Sequence, residues 1–208
     1  MPYKTKMEMA IIILAAGQSK RMRGLDKLTQ KVSGLPQIQR ITLLACQVSA
    51  KVIVALPDAA HPRSICLLGL PIERRFILNS QSGMGYSLAS AASMLKKSIH
   101  SGVMIIPADM PDLTREDIEL LVAAHQKNPE VIAQAISTDG RLGHPVVFPN
   151  RCFKSLTTLK VDQGARALIA QDRNAIKHIA LPGSHATNDL DTPEDWMAWR
   201  LGSELRKN

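Results

Sequence analysis

The chain has 208 residues, of which 45% are hydrophobic and 21% charged, a balance typical of a folded globular protein, and we expect a single domain over residues 1–208. Aromatic rings are scarce, with three Phe, two Tyr and two Trp, which argues against a protein that stacks single-stranded nucleic acid. The formal net charge of +8 calls for an anionic partner, although charge alone does not separate nucleic acid, an acidic membrane face and small phosphorylated ligands.

Two features indicate the compartment. The longest apolar run, residues 9–16, has eight residues, far fewer than the roughly 20 that a membrane helix requires, and no signal-peptide pattern follows the polar N-terminus. The three cysteines, Cys46, Cys66 and Cys152, are scattered and odd in number, which favours packing roles in a reducing compartment over a disulfide framework. We therefore expect a cytoplasmic protein that binds neither membrane nor nucleic acid.

Short apolar runs alternate with helical patterns along the chain. Strands are predicted at residues 10–14, 51–55, 75–78, 103–107, 131–136, 145–148 and 177–181. Apolar residues at helical spacing predict helices around residues 38–48, 88–95 and 118–122, the last preceded by a capping box of Thr114 and Asp117. This alternation predicts an α/β fold with a mainly parallel sheet covered on both faces. Ligands of such sheets bind at the carboxyl ends of the strands, so residues that follow strands are the candidates for chemistry.

The stretch after the first strand, LAAGQSKRMRGLDK, has the composition of a phosphate-binding loop. Small residues at Ala15, Ala16 and Gly17 let the backbone approach a ligand closely. Arg21 and Lys27 can neutralise a polyphosphate, the first as a planar fork and the second as a point charge. Neither the P-loop pattern nor the Gly-x-Gly-x-x-Gly fingerprint is present at this strand. From the residues alone, the alternative to a phosphate-binding loop is a glycine turn whose basic side chains are solvated.

Six motifs in chain order resemble those of one family. The first is LAAGQSKRM, which starts at Leu14 and is followed by Lys27. The others are GMGYSL from Gly83, ADMPDLT from Ala108, RLGHPV from Arg141, DQGAR from Asp162 and DLDTPED from Asp189. Together they span residues 14–195 and resemble the motifs of the MobA-like nucleotidyltransferases, and among these the molybdenum cofactor cytidylyltransferases. The resemblance implies a three-layer, Rossmann-like nucleotidyltransferase fold. It also implies an enzyme that joins CMP from CTP to a molybdopterin-type cofactor and releases pyrophosphate.

The chemistry of this reaction gives roles to particular residues. An acceptor phosphate oxygen attacks the α-phosphorus of the triphosphate, so the enzyme must hold two anions together and stabilise added negative charge. The resemblance implies that Mg²⁺ is held by Asp109, which follows a buried strand, and by Asp191, with Asp189 a close competitor for the second position. It implies catalytic roles for Lys27 and Arg21 beside Asp109. The implied nucleotide-binding residues are Leu14, Ala15, Ala16, Gly17, Arg21, Lys27, Gly83, Gly85 and Ser87.

Two further motifs are expected on the acceptor side. The resemblance places the loop of His144 there, with a purely structural histidine as the alternative. Asp162, Gly164 and Arg166 predict an anion-binding turn in which Arg166 contacts the acceptor, with a solvated turn as the alternative. Two other functions are compatible with the sequence. One is a nucleotidyltransferase that uses another phosphorylated acceptor, such as a sugar phosphate, or transfers a guanylyl group. The other is a non-catalytic carrier or maturation chaperone for the molybdenum cofactor. A recipient molybdoenzyme is a further expected partner.

The sequence departs from the family pattern at two places. Arg23 stands where many members have glycine after the methionine. Gln37 ends a Leu-Pro-Gln stretch in place of G-x-P-L, which removes one apolar contact where a helix begins. A third position bears on nucleotide choice: Ala16 stands where the guanylyltransferase branch has a second glycine. Its methyl group is expected to narrow the pocket against a purine.

Overall fold

The computed structural model describes residues 8–77, 83–97, 99–159, 165–172 and 176–205. Within these ranges the strands are β1 (Glu8–Leu14), β2 (Lys31–Val32), β3 (Leu35–Pro36), β4 (Lys51–Leu56), β5 (Glu73–Phe76), β6 (His100–Pro107), β7 (Ile132–Ile136), β8 (Leu142–Pro149) and β9 (Ile176–Ala180). The helices are α1 (Gln37–Val48), α2 (Pro62–Ile65), α3 (Gly83–Ala92), α4 (Arg115–Lys127), α5 (Phe153–Thr157), α6 (Arg166–Gln171) and α7 (Pro193–Leu205).

Seven of these strands form one sheet in the order β5-β4-β1-β6-β8-β7-β9. Neighbouring strands are parallel except where β8 pairs with β6 and with β7. Because β8 runs in reverse, its amino-terminal end lies at the same edge as the carboxyl ends of the other strands in this sheet. The predicted mainly parallel sheet is confirmed, with β8 as an antiparallel member that delivers its first residues to the ligand-binding edge.

Side chains of β1 divide the apolar core between the two faces of the sheet. Ile11 and Ile13 point into a buried cluster formed with α1 and α4, whereas Ala10 and Ile12 point into another formed with α3 and α5. Successive residues of a strand face opposite sides, so a strand that is apolar at every position suits a sheet covered on both faces. The result is the predicted three-layer, Rossmann-like arrangement. None of the described helices is long and apolar enough to cross a membrane.

Most predicted elements are confirmed with shifted ends. The strand predicted at 75–78 lies at Glu73–Phe76, and residue 78 is outside the described residues. The helix predicted around residues 88–95 begins earlier than expected, so that Gly83 and Gly85 lie in the first turn of α3. The helix therefore begins inside the GMGYSL motif. Its first residue, Gly83, has a φ of +75°, which glycine adopts without a steric penalty.

The predicted capping box is present at the start of α4. The hydroxyl of Thr114 accepts a hydrogen bond from the amide of Asp117 at 3.2 Å, and the carboxylate of Asp117 accepts one from the amide of Thr114 at 2.9 Å. Asp117 is only 1% exposed, and its Oδ2 also lies 2.7 Å from Nδ1 of His185. The cap therefore ties α4 to the segment between β9 and α7.

We expect Thr114→Ala to lower the free energy of unfolding by about 1 kcal/mol, because the amide of Asp117 loses its acceptor. Thr157→Ala is the matched control, since the exposed hydroxyl of Thr157 has its described hydrogen bond to the carbonyl of Lys154 within α5. Its effect should stay within about 0.5 kcal/mol. Urea denaturation of the three proteins measures both effects, and equal losses would contradict the importance of the cap.

Candidate functional site

Three segments that are distant in sequence meet at the carboxyl edge of the sheet. The loop after β1 contributes Arg21 and Lys27, the loop after β6 contributes Asp109, and the segment between β9 and α7 contributes Asp191. Lys27 Nζ donates to Asp109 Oδ2 and, at 2.6 Å, to Asp191 Oδ1. Arg21 Nη2 lies 2.5 Å from Asp191 Oδ2. The structure thus joins the basic and acidic residues that the sequence predicted for catalysis and metal binding.

Asp189 adds a third carboxylate to this group. One potential ligand atom from each of Asp109, Asp189 and Asp191 lies within 4.8 Å of the other two. Carboxylate oxygens are the ligands that hard divalent cations prefer, so the donor set fits Mg²⁺. The cluster also attracts positive charge within the chain, since the ammonium group of Lys27 bonds to two of its members. We refer to these three residues as the carboxylate cluster.

Burial and charge shift the pKa of two groups at the carboxylate cluster. Burial by itself lowers the pKa of Lys27, but the carboxylates of Asp109 and Asp191 outweigh it and raise that pKa above its ordinary value. Partial burial, followed by the negative charge of Asp109, raises the pKa of Asp189. Lys27 therefore keeps its charge at neutral pH, and the repulsion felt by Asp189 is of the kind that a bound cation relieves.

The main chain around Asp109 is braced from α1. Gln37, the first residue of that helix, is 0% exposed, and its Nε2 donates to the carbonyls of Ala108 at 2.9 Å and Met110 at 3.1 Å. The amide of Leu190 donates to the carbonyl of Asp109 itself at 3.2 Å. The sequence predicted only a lost apolar contact at Gln37. The structure shows that the glutamine provides hydrogen bonds that a leucine cannot make.

A second capping box fixes the backbone of Asp191. The carboxylate of Asp195 accepts hydrogen bonds from the amides of Asp191 at 3.1 Å and Thr192 at 2.8 Å. The hydroxyl of Thr192 in turn accepts one from the amide of Asp195 at 3.1 Å. α7 begins at Pro193, and proline suits the first position of a helix because the amide it lacks would have no partner within the helix. The position of Asp191 is therefore coupled to the beginning of α7.

A buried arginine closes the loop that follows Leu14. Arg63, in α2, is 2% exposed, and its Nη1 donates to the carbonyls of Ala15 and Gly17 at 2.6 Å each. Its Nε and Nη2 each lie 2.7 Å from an oxygen of Asp26. Sequence reasoning missed this residue because no motif surrounds it. Its one local signal, an arginine shortly after a buried strand, is shared by many exposed arginines.

The remaining predicted nucleotide-binding residues divide between surface and core. Leu14 and Gly85 line a cleft of about 1000 Å³. Ala16 is 3% exposed and packs in the apolar cluster shared with α3, so a change there reaches the cleft through packing. Ser87 is 6% exposed, and its hydroxyl donates to the carbonyl of Gly83 at 3.4 Å inside α3. Neither Ala16 nor Ser87 is among the residues that line the cleft.

The cleft runs from the carboxylate cluster along β6, β8 and β7 to α6. Its apolar wall includes Leu88, Ile105, Val146, Phe148 and Ile169, and its polar side chains include Asp109, Gln134, His144, Arg166, His178 and Asp189. A mostly apolar cleft with a few convergent polar groups is the usual form of a small-molecule site. The structure therefore brings the predicted acceptor residues His144 and Arg166 to the same cleft as Asp109, whereas Asp162 and Gly164 lie outside the described residues.

His144 reaches the cleft because β8 starts close to the segment after β9. The amide of His144 donates to the carbonyl of Ala186 at 2.8 Å, and a Cβ on Gly143 would lie 1.9 Å from that same oxygen. Only glycine permits this approach at position 143. Burial lowers the pKa of His144 to about 4; the charge of Asp109 opposes this shift, and the charge of Arg166 adds to it. The imidazole is therefore neutral at physiological pH.

The fold and this site define the class of protein. A small-residue loop with basic side chains after the first strand, facing a carboxylate cluster across the strand ends, can hold a polyphosphate together with a divalent cation, and a nucleotidyltransferase requires both. The sequence profile of the MobA-like NTP transferase domain matches residues 11–176, and the chain belongs to that family. The family membership predicted from the motifs is confirmed.

The chain is similar to named proteins along most of its length. PucB of Bacillus subtilis (strain 168), a purine catabolism protein, is 29% identical over 195 residues, which cover 89% of this chain and 92% of PucB. The probable molybdenum cofactor guanylyltransferase of Rhodopirellula baltica is 27% identical over 204 residues, which cover 94% and 93% of the two chains. The crystal structure of Rv0371c from Mycobacterium tuberculosis H37Rv superposes with a TM-score of 0.80 at 22% identity, covering 94% of this chain and 98% of that one.

The low pKa of His144 predicts a pH dependence of stability. The folded pKa of about 4 lies below the unfolded value of about 6.5, so between these values the unfolded state binds more protons and stability falls as the pH falls. His144→Gln removes this titration. Between about pH 7 and pH 4.5 we expect the variant to lose about 2 kcal/mol less unfolding free energy than the wild type. Urea denaturation at both pH values measures the difference, and parallel losses would contradict the lowered pKa of this imidazole.

Proposed function

We propose that the protein transfers CMP from CTP to a molybdopterin-type acceptor and releases pyrophosphate, with Mg²⁺ as its metal. The observation that carries the proposal is the meeting of Lys27 and Arg21 with Asp109 and Asp191 at one end of the large cleft. This arrangement supplies fixed charges for a polyphosphate and its metal, beside an apolar wall long enough for a second, larger ligand.

The chain's own residues serve chiefly to position the two anions. Lys27 and Arg21 screen the triphosphate charge, which otherwise repels an incoming acceptor phosphate. Asp109 and Asp191 would hold Mg²⁺, and the ion would supply charge that stabilises the negative phosphates. The reaction needs no covalent protein nucleophile. The backbone braces at Gln37 and at the start of α7 keep the two carboxylates in place for this task.

The far part of the cleft is proposed to receive the acceptor. Arg166 is exposed at the start of α6 and offers a cation to the acceptor phosphate. His144 is neutral at physiological pH, so one ring nitrogen donates a hydrogen bond while the other accepts one. A pterin-like heterocycle has both donors and acceptors and a flat apolar face, which matches the mixture of groups on this wall.

The relatives bear on the acceptor more than on the nucleotide. The Rhodopirellula baltica protein is named for the molybdenum cofactor, which supports a molybdopterin-type acceptor, but its name specifies guanylyl transfer. GTP is therefore the specific alternative to CTP. The proposal of CTP rests on the motif resemblance and on Ala16. A cofactor carrier without catalysis is a weaker alternative, because such a protein has no need of Lys27 between two carboxylates.

The proposal is tested by measuring pyrophosphate release from CTP, GTP, UTP and ATP without an acceptor, with purified molybdopterin, or with a sugar phosphate. Molybdopterin binding is measured in parallel. We expect release that depends on molybdopterin and is fastest with CTP. Faster release with GTP would show that GTP, and not CTP, is the nucleotide substrate. Release only with a sugar phosphate would show that the acceptor is not a molybdopterin. Binding of molybdopterin without release from any nucleotide would favour the carrier.

Nucleotide choice yields a prediction of its own at Ala16. We expect Ala16→Gly to raise kcat/KM for GTP relative to CTP through repacking of the cleft wall, by less than the about 10- to 200-fold that a methyl group in direct contact with the substrate controls. Ala91→Gly is the matched control, because Ala91 is 0% exposed in the same apolar cluster but lies on α3. An unchanged ratio in Ala16→Gly, or an equal change in both variants, would place the specificity elsewhere.

The metal assignment predicts a large effect at Asp109. Asp109→Asn keeps the shape of the side chain but removes the charge, so turnover should fall by about 100-fold or more while the melting temperature changes little. Asp172→Asn, which removes a carboxylate paired with Arg151 at 2.8 Å, is the control. The second metal ligand is identified by titrating the activity of Asp189→Asn and Asp191→Asn with Mg²⁺. The residue whose substitution raises the Mg²⁺ concentration needed for activity by the larger factor is the second ligand. Retention of turnover in Asp109→Asn would contradict the assignment.

A further inference from the structure

The guanidinium group of Arg63 has its described hydrogen bonds within a single loop. Nη1 donates to the carbonyls of Ala15 and Gly17 at 2.6 Å each, and Nη2 donates to the hydroxyl of Ser19 at 2.8 Å. Nε and Nη2 each lie 2.7 Å from one oxygen of Asp26. Arg63 itself belongs to α2, outside this loop, and is almost fully buried. One side chain therefore joins both ends of the loop between β1 and Lys27.

Burial makes these contacts strong. A charged guanidinium that is removed from water needs partners, and the paired oxygens of Asp26 match its planar fork. Burial by itself raises the pKa of Asp26, but the hydrogen bond and the charge of Arg63 outweigh it and lower that pKa. The pair is thus charged on both sides at neutral pH, and the loop cannot move away from Arg63 without exposing or unpairing a buried ion.

The loop has a strained backbone that needs such support. Ser19 and Arg23 have φ values of +49° and +52°, in the left-handed region that residues with a Cβ seldom adopt. Strain of this kind persists where surrounding contacts determine the conformation. The hydroxyl of Ser19 accepts from Arg63 and also from the amide of Lys27 at 3.4 Å. Arg63 therefore holds one of the two strained residues directly.

The same contacts lead to Lys27. Asp26 precedes the short 3₁₀ turn Lys27–Thr29, and its Oδ1 accepts from the amide of Leu28 at 3.0 Å while it also accepts from Arg63. The orientation of this turn directs the ammonium group of Lys27 toward Asp109. At the other end of the loop, carbonyl oxygens engaged by Arg63 are held on the interior side of the backbone. Oxygens that faced a phosphate would repel it.

We propose that Arg63 is a positioning residue for nucleotide binding: it clamps both ends of the loop so that Lys27 and the backbone after β1 meet the triphosphate together. The inference rests on the proposed function in so far as the ligand of the loop is taken to be a nucleoside triphosphate. Arg63 acts through the loop and does not touch the substrate. Its loss should therefore weaken the nucleotide half of the reaction and spare the acceptor half.

Arg63→Lys tests the proposal, because it keeps the charge but loses the planar fork. We expect the KM for the preferred nucleotide and its Kd in the presence of Mg²⁺ to rise by about tenfold or more, with the acceptor KM within about twofold of the wild type. The control is Arg74→Lys, since Arg74 donates through Nη2 to the carbonyl of Leu67 at 2.7 Å and has no described contact with the loop. A lower melting temperature with an unchanged nucleotide KM would overturn the proposal.

A milder variant keeps the test decisive if Arg63→Lys does not fold. Ser19→Ala removes one Arg63 contact together with the weaker bonds of the same hydroxyl to Asp26 Oδ1 at 3.3 Å and to the Lys27 amide at 3.4 Å. It leaves both Arg63–Asp26 hydrogen bonds in place, so it should fold and raise the nucleotide KM in the same direction by a smaller factor. An equal rise in the acceptor KM would show general damage and overturn the proposal. The Kd of the wild type for each nucleoside triphosphate distinguishes a failure of the proposed function from a failure of the proposed role of Arg63. Failure of the wild type to bind any of them rejects the proposed function, whereas tight binding by wild type and variants alike rejects only the role of Arg63.

Discussion

The contact of the Lys27 ammonium group with two carboxylates is the interaction on which the arrangement of the site depends. Its partners lie 82 and 164 residues further along the chain, so the contact joins the first, middle and last parts of the fold. Carboxylates brought this close together repel each other unless a cation lies between them. Lys27 supplies that cation from within the chain. A nucleotide with its metal would bring further positive and negative charge to the same point.

Each member of this ion cluster is supported by a different device in the surrounding structure. Asp26 and Arg63 orient the turn of Lys27, Gln37 binds the carbonyls on either side of Asp109, and a capping box at α7 fixes the backbone of Asp191. These supports are buried or part-buried polar contacts, which have strict geometry and therefore position a side chain more closely than apolar packing does. The charged groups can thus be held at the edge of the sheet in a fixed geometry before a ligand arrives.

The two departures from the family pattern have different structural explanations. Arg23 has a left-handed backbone, which explains why glycine is common there, and its side chain forms an exposed pair with Glu194 at 2.9 Å. Surface pairs of this kind contribute little stability. Gln37 instead replaces an apolar contact by two hydrogen bonds at a buried position next to Asp109. The first departure is tolerated by the loop, whereas the second changes how a central carboxylate is supported.

Local patterns in the sequence determined the seven strands of the large sheet, the helices α1, α3 and α4, the capping box at Thr114, and the motifs that contain Lys27, Asp109, His144 and Asp191. Such features depend on the chemistry of a few adjacent residues, so they can be predicted without knowing the fold. The sequence did not reveal the reversed direction of β8, which brings His144 to the ligand edge, because that direction depends on strand pairing. It also did not reveal the roles of Arg63 and Gln37. Their partners lie 37 to 48 and 71 to 73 residues away, and only tertiary structure decides which polar groups become buried together.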